Sequence, residues 1–261
     1  MKKINRFGCI LLTIVSVCTV ITTSCNNGKD YYDEGVSYIT GKDGVPQDLE
    51  KAEQLLMKAV QKNYVPAYYQ IGRIYAKRGS FDEMLNWYDK AATAGDKKTA
   101  KLLGDLYTNS DEVKSDEAKA ILYYNKALEM GKEEKEDAII HQSLGYLYCE
   151  EKCLDMDKAI QHFTKATELD DTMAECFHNL GAIYAVGIGG VKKNYGKAVP
   201  FFKKAADLDY VESLWNLTIC YENGFGVDRD REQAIAYASR AADQGHELAK
   251  TYLKQVGVRR R

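Results

Sequence analysis

The sequence predicts an all-α protein: a right-handed α-solenoid of about six helix-turn-helix repeats that ends in a capping helix. Two sequence elements alternate along the chain, and each occurs about six times. Proline is scarce, with three residues in 261, which favours helix. Because the two elements stay in phase over six copies, a chance origin is very unlikely, and an array of stacked helical hairpins follows.

The first element is Leu/Ile-Gly-x-x-Tyr, and its copies lie 32 to 41 residues apart. The glycine position is occupied by Gly35, Gly72, Gly104, Gly145 and Gly181, and by Thr218 in a degenerate last copy. Residues spaced by three, four and seven share one face of a helix, so the Leu, Gly and Tyr form one stripe. The glycine predicts a close approach by another helix.

The second element has a small residue, aromatic residues three or four positions later, and a basic-Ala pair that ends seven positions later. The six copies end at Ala59, Ala91, Ala127, Ala166, Ala205 and Ala241. This stripe complements the first one, since small residues opposite large ones allow two antiparallel helices to interlock. Each pair is too small to bury its own apolar face, so side-by-side stacking is expected to create one continuous core.

The turns between the two elements identify the repeat. Gly224-Phe225-Gly226-Val227 is followed by Asp228 and Asp230, and a similar turn runs from 41 to 48. Glycine supplies a positive φ at a helix C-terminus, and aspartate can cap the next helix. This Gly-x-Gly-Val-x-x-Asp turn resembles the SEL-one-like repeat family, a branch of the tetratricopeptide-like solenoids, over about residues 30 to 253. The turns of repeats two, three and four depart from it and look more like plain tetratricopeptide repeats.

The N-terminus has the pattern of a targeting segment. Residues 1–24 contain three basic residues followed by an apolar run too short for a permanent membrane span, which is typical of a secretory signal peptide. The small residues before Cys25 resemble a bacterial lipobox, with Thr22 where the usual leucine stands. The resemblance implies a lipidated Cys25 and a short linker over 25–29. The alternative is an ordinary signal peptide in which Cys25 is incidental.

Two predictions follow for the ends of the chain and for its location. The solenoid is expected over 30–255, with a capping helix over about 246–254 and a frayed basic tail over 256–261. The lipobox resemblance implies attachment to a bacterial cell envelope, and Asn26 after the cysteine is compatible with the outer membrane, on its periplasmic side or at the cell surface. The membrane would be contacted through the lipid anchor only.

Composition and motifs argue against several kinds of site. The net charge is −2, and removal of the leader takes it to −5, so there is no basic field for nucleic acid. The glycine-rich turns do not match a phosphate-binding loop, which argues against a nucleotide. No zinc-protease or paired-cysteine motif includes His141, His162, His178 or His246. We therefore expect no metal, no cofactor and no catalytic residue, and we interpret His162 as a packing residue.

Cys149 and Cys153 flank the short turn between the helices of repeat four. In an oxidising compartment a disulfide between them is possible if their Cα atoms come close enough. The alternative is two reduced small residues. Cys176 and Cys220 fall within first helices and are interpreted as packing residues.

The resemblance also implies where a partner would bind. In tetratricopeptide-like solenoids the first helices line the concave face, and contacts come from the positions three before and one after the glycine. The corresponding residues, with one further basic residue a turn later, are Tyr69, Arg73, Lys77, Lys101, Asp105, Gln142, Tyr146, His178 and Trp215. Tyr, Trp and Arg are enriched at binding hot spots. We predict a groove that is basic in repeats two and three and more apolar in repeats four to six. The alternative is that these aromatic side chains complete the packing between adjacent first helices.

The function that this sequence predicts is a non-catalytic scaffold or adaptor that holds a protein or peptide partner on the concave face. An alternative is a binder or hydrolase of cell-wall peptidoglycan fragments, which would need a carboxylate pair or a nucleophile in a cleft. A third hypothesis is a module of a surface nutrient-uptake complex, which the anchor allows but no residue specifies.

Overall fold

The computed structural model describes residues 27–41 and 44–258. The predicted signal peptide, the lipidated Cys25 and the last three residues of the basic tail lie outside the described residues. Within the described ranges the chain forms thirteen α-helices, a single turn of 3-10 helix at Glu151–Cys153, and no strand. The α-helices are α1 Gly28–Thr40, α2 Leu49–Gln61, α3 Pro66–Lys77, α4 Phe81–Thr93, α5 Lys97–Thr108, α6 Glu117–Glu129, α7 Glu134–Leu147, α8 Met156–Leu169, α9 Ala174–Val186, α10 Tyr195–Asp207, α11 Val211–Asn223, α12 Arg231–Asp243 and α13 Glu247–Gln255.

The helices pack in chain order. Each odd-numbered helix lies along the even-numbered helix that follows it, and each even-numbered helix then contacts the next odd-numbered one. This gives six hairpins, α1–α2 to α11–α12, with α13 packed on the last of them. The all-α solenoid of six hairpins with a capping helix is therefore confirmed. No helix of the described residues has the length and apolarity needed to cross a bilayer.

The glycine of the first element lies under an aromatic ring of the second. A Cβ atom added to Gly104 would lie 2.6 Å from the Tyr124 ring, and one added to Gly145 would lie 2.6 Å from the Phe163 ring. In the last hairpin the small and the large residue change places. Thr218 occupies the position of the glycine, and Ala238 occupies the position of the aromatic ring. Both residues are buried. The larger side chain thus lies on the first helix instead of the second, and the two helices still pack closely.

Most second helices begin at a capping side chain. Asp48, Asp116, Asp155, Asn194 and Asp230 each accept a hydrogen bond from a backbone amide in the first turn. Such a cap satisfies an amide that has no partner within the helix and stabilises it by about 1 kcal/mol. The predicted aspartate caps are confirmed.

The glycine-rich turns connect neighbouring repeats. The first glycine of each turn ends the first helix in the left-handed conformation, with φ of 73° at Gly187 and 72° at Gly224. The second glycine lies against the preceding repeat: a Cβ atom on Gly226 would lie 2.4 Å from the carbonyl carbon of Tyr195, at the start of α10. The equivalent glycine of the first repeat, Gly44, has nothing within 4 Å, because no described repeat precedes it.

The buried side chains form four clusters that follow one another along the array. Tyr75 packs against two neighbouring clusters, and Tyr148 does the same further along the chain. Both are the tyrosines of the first element, and both are only half-buried. At these two positions the apolar packing therefore continues from one cluster to the next, as stacked repeats predict.

The ends and the cysteine turn differ in detail from the sequence predictions. Helix α1 begins at Gly28, two residues before the predicted start, because Asn27 and Asp30 form a reciprocal capping box. At the other end the amide of Val258 donates to the carbonyl of Leu253, so the first part of the predicted frayed tail folds back on α13. Both cysteines of the repeat-four turn carry free thiols, so the possible disulfide is not formed in this structure.

Candidate interaction face

The residues three before the glycine position reach the next repeat. Gln142 donates to a Glu175 carboxylate oxygen at 3.3 Å, and Trp215 stacks on His246 with the ring centroids 5.2 Å apart. The Nδ1 atom of His178 lies 2.9 Å from the Ser213 hydroxyl oxygen. These side chains therefore connect adjacent first helices as well as lying on their shared face.

Two of the aromatic residues predicted for the groove are engaged in packing. His178 contacts the rings of Phe202 and Tyr210, and burial lowers its pKa below the usual value, which keeps the imidazole neutral. Trp215 lies between His246 and Tyr252 of the capping helix. For both residues the geometry agrees with the alternative interpretation, which assigned them to packing between neighbouring repeats.

The predicted basic part of the face carries less uncompensated positive charge than its basic residues suggest. Lys101 forms an ion pair with Asp105, with Nζ 2.6 Å from Oδ2, so its charge is compensated within the helix. Arg73 lies over the Tyr69 ring and donates to Gln70. Lys77 is exposed one turn further on. Of the three predicted basic residues, Arg73 and Lys77 are thus the two that make no ion pair with any carboxylate that the structure describes.

Tyr146 is an exposed aromatic side chain that is held in one position. Its ring meets the Phe163 ring edge-on at 5.3 Å, and its hydroxyl accepts a hydrogen bond from the Asn179 amide at 3.1 Å. Desolvation and the nearby Glu175 raise the pKa of the phenol above its usual value, so the side chain stays neutral. A fixed ring that is 36% exposed is suited to contact a partner at little cost in conformational entropy.

A groove of about 600 Å³ lies between repeats three and four, and we call it the central groove. Its lining is Asp105, Thr108, Asn109, Ser115, Glu117, Tyr124, Ser143, Tyr146, Leu147 and Glu150. A second groove of about 370 Å³, lined in part by Tyr69 and Lys101, shares Asp105 with it. The structure therefore brings four of the nine predicted residues to adjoining grooves centred on Asp105.

The carboxylate of Asp105 is held from two sides. The Tyr124 hydroxyl donates to Oδ1 at 2.7 Å, and the Lys101 ammonium donates to Oδ2 at 2.6 Å. Burial, followed by this hydrogen bond, raises the pKa of Tyr124 to about 12, so its hydroxyl remains a donor. Asp105 is thus fixed at the junction of the two grooves.

The lining contains three carboxylates, and two of them, Asp105 and Glu117, are already hydrogen-bonded to lysines of the protein itself. The hydrogen bond from Lys152 lowers the pKa of the Glu117 carboxyl, which is opposite to what a general acid needs. Burial raises the pKa of the Cys149 and Cys176 thiols, which disfavours the nucleophilic thiolate. In the part of the chain that the structure describes, no three His, Cys, Asp or Glu side chains converge as metal ligands. These pKa shifts favour neither the general acid nor the nucleophile that the cell-wall hydrolase alternative needs.

A histidine pair lies in repeat four, away from the central groove lining. The Nδ1 atoms of His141 and His162 are 2.9 Å apart, and the His162 ring stacks on Tyr148 at 5.5 Å. The sequence interpretation of His162 as a packing residue agrees with this contact. Its hydrogen-bonded partner was not anticipated, because the two histidines are 21 residues apart on different helices.

Sequence reasoning also missed most of the central groove. Thr108, Glu117, Ser143 and Glu150 flank it, but they belong to no repeated element. One signal was available: Gly104 and Gly145 are separated by 41 residues, the longest interval in the array. The additional residues extend α7 at its N-terminus, so that Gly145 is the twelfth residue of α7 whereas Gly104 is the eighth of α5. The contact between α6 and α7 is also sparser than the equivalent contacts elsewhere.

Comparison with known families identifies the repeats. The Sel1 repeat model matches residues 32–64, 100–132, 143–171, 175–210 and 211–246, which is more than half of the chain. A tetratricopeptide repeat model matches residues 65–94, as expected for repeat two. Repeats three and four match the Sel1 model, so their interpretation as plain tetratricopeptide repeats was wrong. The turns of these two repeats are atypical, but the segments as a whole match the Sel1 model.

Individual relatives differ in how much of this chain, and of their own length, the similarity covers. Cytochrome c oxidase assembly factor 7A of Xenopus laevis is 24% identical over 231 residues, covering 87% of this chain and 71% of the relative. Chitin synthase regulatory factor 2 of Schizosaccharomyces pombe is 36% identical over 73 residues, which span 28% of this chain but only 14% of that protein. The crystal structure of c5321, a protective antigen of uropathogenic Escherichia coli, superposes with a TM-score of 0.62 at 26% identity, covering 88% of this chain and 49% of that one.

Proposed function

The chain belongs to the Sel1 repeat family, and from this we propose that it is an interaction scaffold that binds a protein or peptide partner along the central groove. Sel1 repeat proteins are generally protein-interaction scaffolds. The name of one relative describes an assembly factor and that of another a regulatory factor. These names support the class of function, and the partner and pathway of this chain are left to experiment.

The observation that carries the proposal is the exposed, fixed ring of Tyr146 at the edge of the central groove. It stands beside hydrogen-bonding groups of Asp105 and Glu117, on the face that first helices share. A rigid aromatic group beside polar groups is the usual composition of an interaction hot spot. The packing roles of His178 and Trp215 move the centre of the proposed site from the whole array to repeats two to four.

Photo-cross-linking in cells tests the site. We expect a photoreactive amino acid at position 109, on the groove rim, to capture a partner, and Tyr146→Ala to reduce that capture several-fold. Phe225→Ala is the matched control, since Phe225 is 38% exposed but lies in the turn of repeat six. Both variants should show the circular dichroism and melting temperature of a folded solenoid. Equal capture by wild type and Tyr146→Ala would refute binding at the central groove.

We also propose that the scaffold is anchored to the bacterial cell envelope through Cys25, as the lipobox resemblance implies. Palmitate labelling and membrane fractionation of the full chain test this part separately. The wild type should carry the label and sediment with membranes, and Cys25→Ala should lose both. An unlabelled wild-type protein would remove the anchor from the proposal and leave the scaffold function in place.

A further inference from the structure

We infer that the central groove receives a basic side chain, Arg or Lys, from an extended segment of the partner. This inference rests on the proposed scaffold function and names the chemistry of its partner. The sequence had suggested the opposite polarity, with Arg73, Lys77 and Lys101 meeting an acidic segment. The side chains that line the groove reverse that expectation.

The charged side chains of the lining are all acidic. It contains the carboxylates of Asp105, Glu117 and Glu150 and no lysine, arginine or histidine. The Thr108 hydroxyl donates to the Gly104 carbonyl at 2.8 Å, which leaves its oxygen lone pairs free to accept. A cation that enters the groove therefore meets oxygen atoms on several sides.

The fold adds negative potential to these charges. Thr108 is the last residue of α5 and Leu147 the last of α7, and both line the groove. The C-terminal end of a helix carries a partial negative charge of about half an elementary charge and favours cations. Two such ends open into one groove because the first helices of adjacent repeats run in the same direction.

The internal cations leave part of the negative charge uncompensated. Lys101 is held against Asp105 within α5, with its side chain 23% exposed. Lys152 reaches Glu117 from a side chain that is 71% exposed, and an exposed pair of this kind contributes little because solvent screens it. Glu150 makes no ion pair among the described residues. A partner cation can thus displace Lys152 and bind Glu117 and Glu150 at little cost.

The exposed aromatic ring of the groove favours the same occupant. Tyr146 lines the groove and its phenol is kept neutral by desolvation, whereas the Tyr124 ring is 2% exposed and does not offer its face. The face of an aromatic ring attracts a guanidinium or ammonium group. The partially exposed Tyr146 ring gives the aliphatic part of a long basic side chain an apolar surface to lie on.

NMR titration of the isotope-labelled mature chain, which contains the whole repeat array, tests the inference. The probe is a nonapeptide of glycine and serine that carries two arginines, and the comparison peptide carries two glutamates in their place. We expect saturable shifts of the Asn109, Tyr146 and Glu150 amides with the arginine peptide and none with the glutamate peptide. Shifts spread evenly over the surface, or equal responses to both peptides, would overturn the inference.

Charge-neutral variants make the test specific. Glu117→Gln/Glu150→Gln should weaken binding of the arginine peptide by about tenfold, because two charge-assisted contacts are lost. The matched control, Glu83→Gln/Glu129→Gln, removes two exposed carboxylates elsewhere on α4 and α6 and should change the affinity less than about twofold. Equal weakening by both variants would show general electrostatic attraction and contradict a basic pocket.

The same variants separate this inference from the proposed function. If Tyr146→Ala abolishes cross-linking of the cellular partner while Glu117→Gln/Glu150→Gln leaves it unchanged, the scaffold stands and the basic occupant is wrong. If Tyr146→Ala has no effect, the groove itself is not the binding site, and both proposals fail.

Discussion

The ammonium group of Lys97 lies 2.6 Å from Oδ1 of Asp137 and joins the N-terminal turns of α5 and α7. Lys97 also donates to the carbonyl of Gly131 at 2.7 Å, and Oδ2 of Asp137 accepts from the amide of Glu133. The two side chains are 6% and 10% exposed. This buried network fastens the loop between α6 and α7 where those helices contact each other sparsely.

Breaking this ion pair should destabilise the protein more than replacing it. Asp137→Asn leaves the Lys97 charge buried with one strong partner lost, and we expect the free energy of unfolding to fall by about 3–5 kcal/mol. Lys97→Met/Asp137→Leu removes both charges, and we expect a smaller loss than for the single variant. Urea denaturation followed by circular dichroism measures both. A double variant less stable than Asp137→Asn would show that the pair contributes favourably beyond its desolvation cost.

The close contact between a first-helix glycine and the aromatic ring that faces it also affects stability. Gly145→Ala places a methyl group 2.6 Å from the Phe163 ring, and such overpacking costs about 1–3 kcal/mol. Gly196→Ala is the control, because Gly196 is an exposed helical glycine whose added Cβ meets only the Asn194 side-chain oxygen, at 3.3 Å. That substitution should stabilise the helix by up to about 1 kcal/mol. Thermal melts of the two variants should therefore shift in opposite directions.

The reversed arrangement of the last hairpin supplies a rescue experiment. Gly181→Thr/Phe202→Ala copies the Thr218 and Ala238 pairing into repeat five. We expect the double variant to lose less stability than the sum of its single variants, since the added threonine occupies part of the space left by the ring. Strictly additive losses would show that the reversal in repeat six depends on its surroundings rather than on the pair.

The turn glycines offer a matched comparison between two repeats. Gly226 and Gly44 have similar positive φ values, 70° and 79°, so an alanine imposes similar backbone strain at both. At Gly226 the new Cβ also lies 2.4 Å from the carbonyl carbon of Tyr195, whereas Gly44 has open space. Gly226→Ala should therefore reduce the melting temperature clearly more than Gly44→Ala. Equal reductions would mean that the second glycine of the turn serves conformation alone and does not dock on the preceding repeat.

The sequence predicts those parts of the molecule that repeat, because helix spacing and volume complementarity act within each hairpin. The register of Gly104 against Tyr124 follows from the two repeated elements, whose spacings place both residues on facing stripes. The Lys97–Asp137 pair could not be predicted in this way, since its partners lie 40 residues apart on the first helices of two different repeats. The central groove was missed for the same reason. The packing of Trp215 on His246 depends on which side chain the neighbouring repeat happens to present.

The His141–His162 pair makes stability depend on pH. Burial, followed by the nearby His162, lowers the pKa of His141 to about 4, and burial and Lys158 lower that of His162 below its usual value. Asp137 opposes these effects at His141 and Lys165 adds to them. A histidine whose pKa is lower in the folded chain than in the unfolded chain contributes fully to stability only at pH values above its pKa in the unfolded chain, about 6.5. That contribution is lost as the pH falls toward 4, because the unfolded chain then binds more protons.

Repeat five supplies the control for this pH dependence. By register Phe177 and Phe201 occupy the positions of His141 and His162, and Phe201 stacks on Tyr184 as His162 stacks on Tyr148. In His141→Phe/His162→Phe we expect the free energy of unfolding to fall less steeply between pH 6.5 and 5 than in the wild type, with His178 titrating in both. Urea denaturation at half-unit pH steps measures the two slopes. Identical slopes would show that the pair does not titrate in this range, since carboxylates with lowered pKa values, such as Asp155, act only at lower pH.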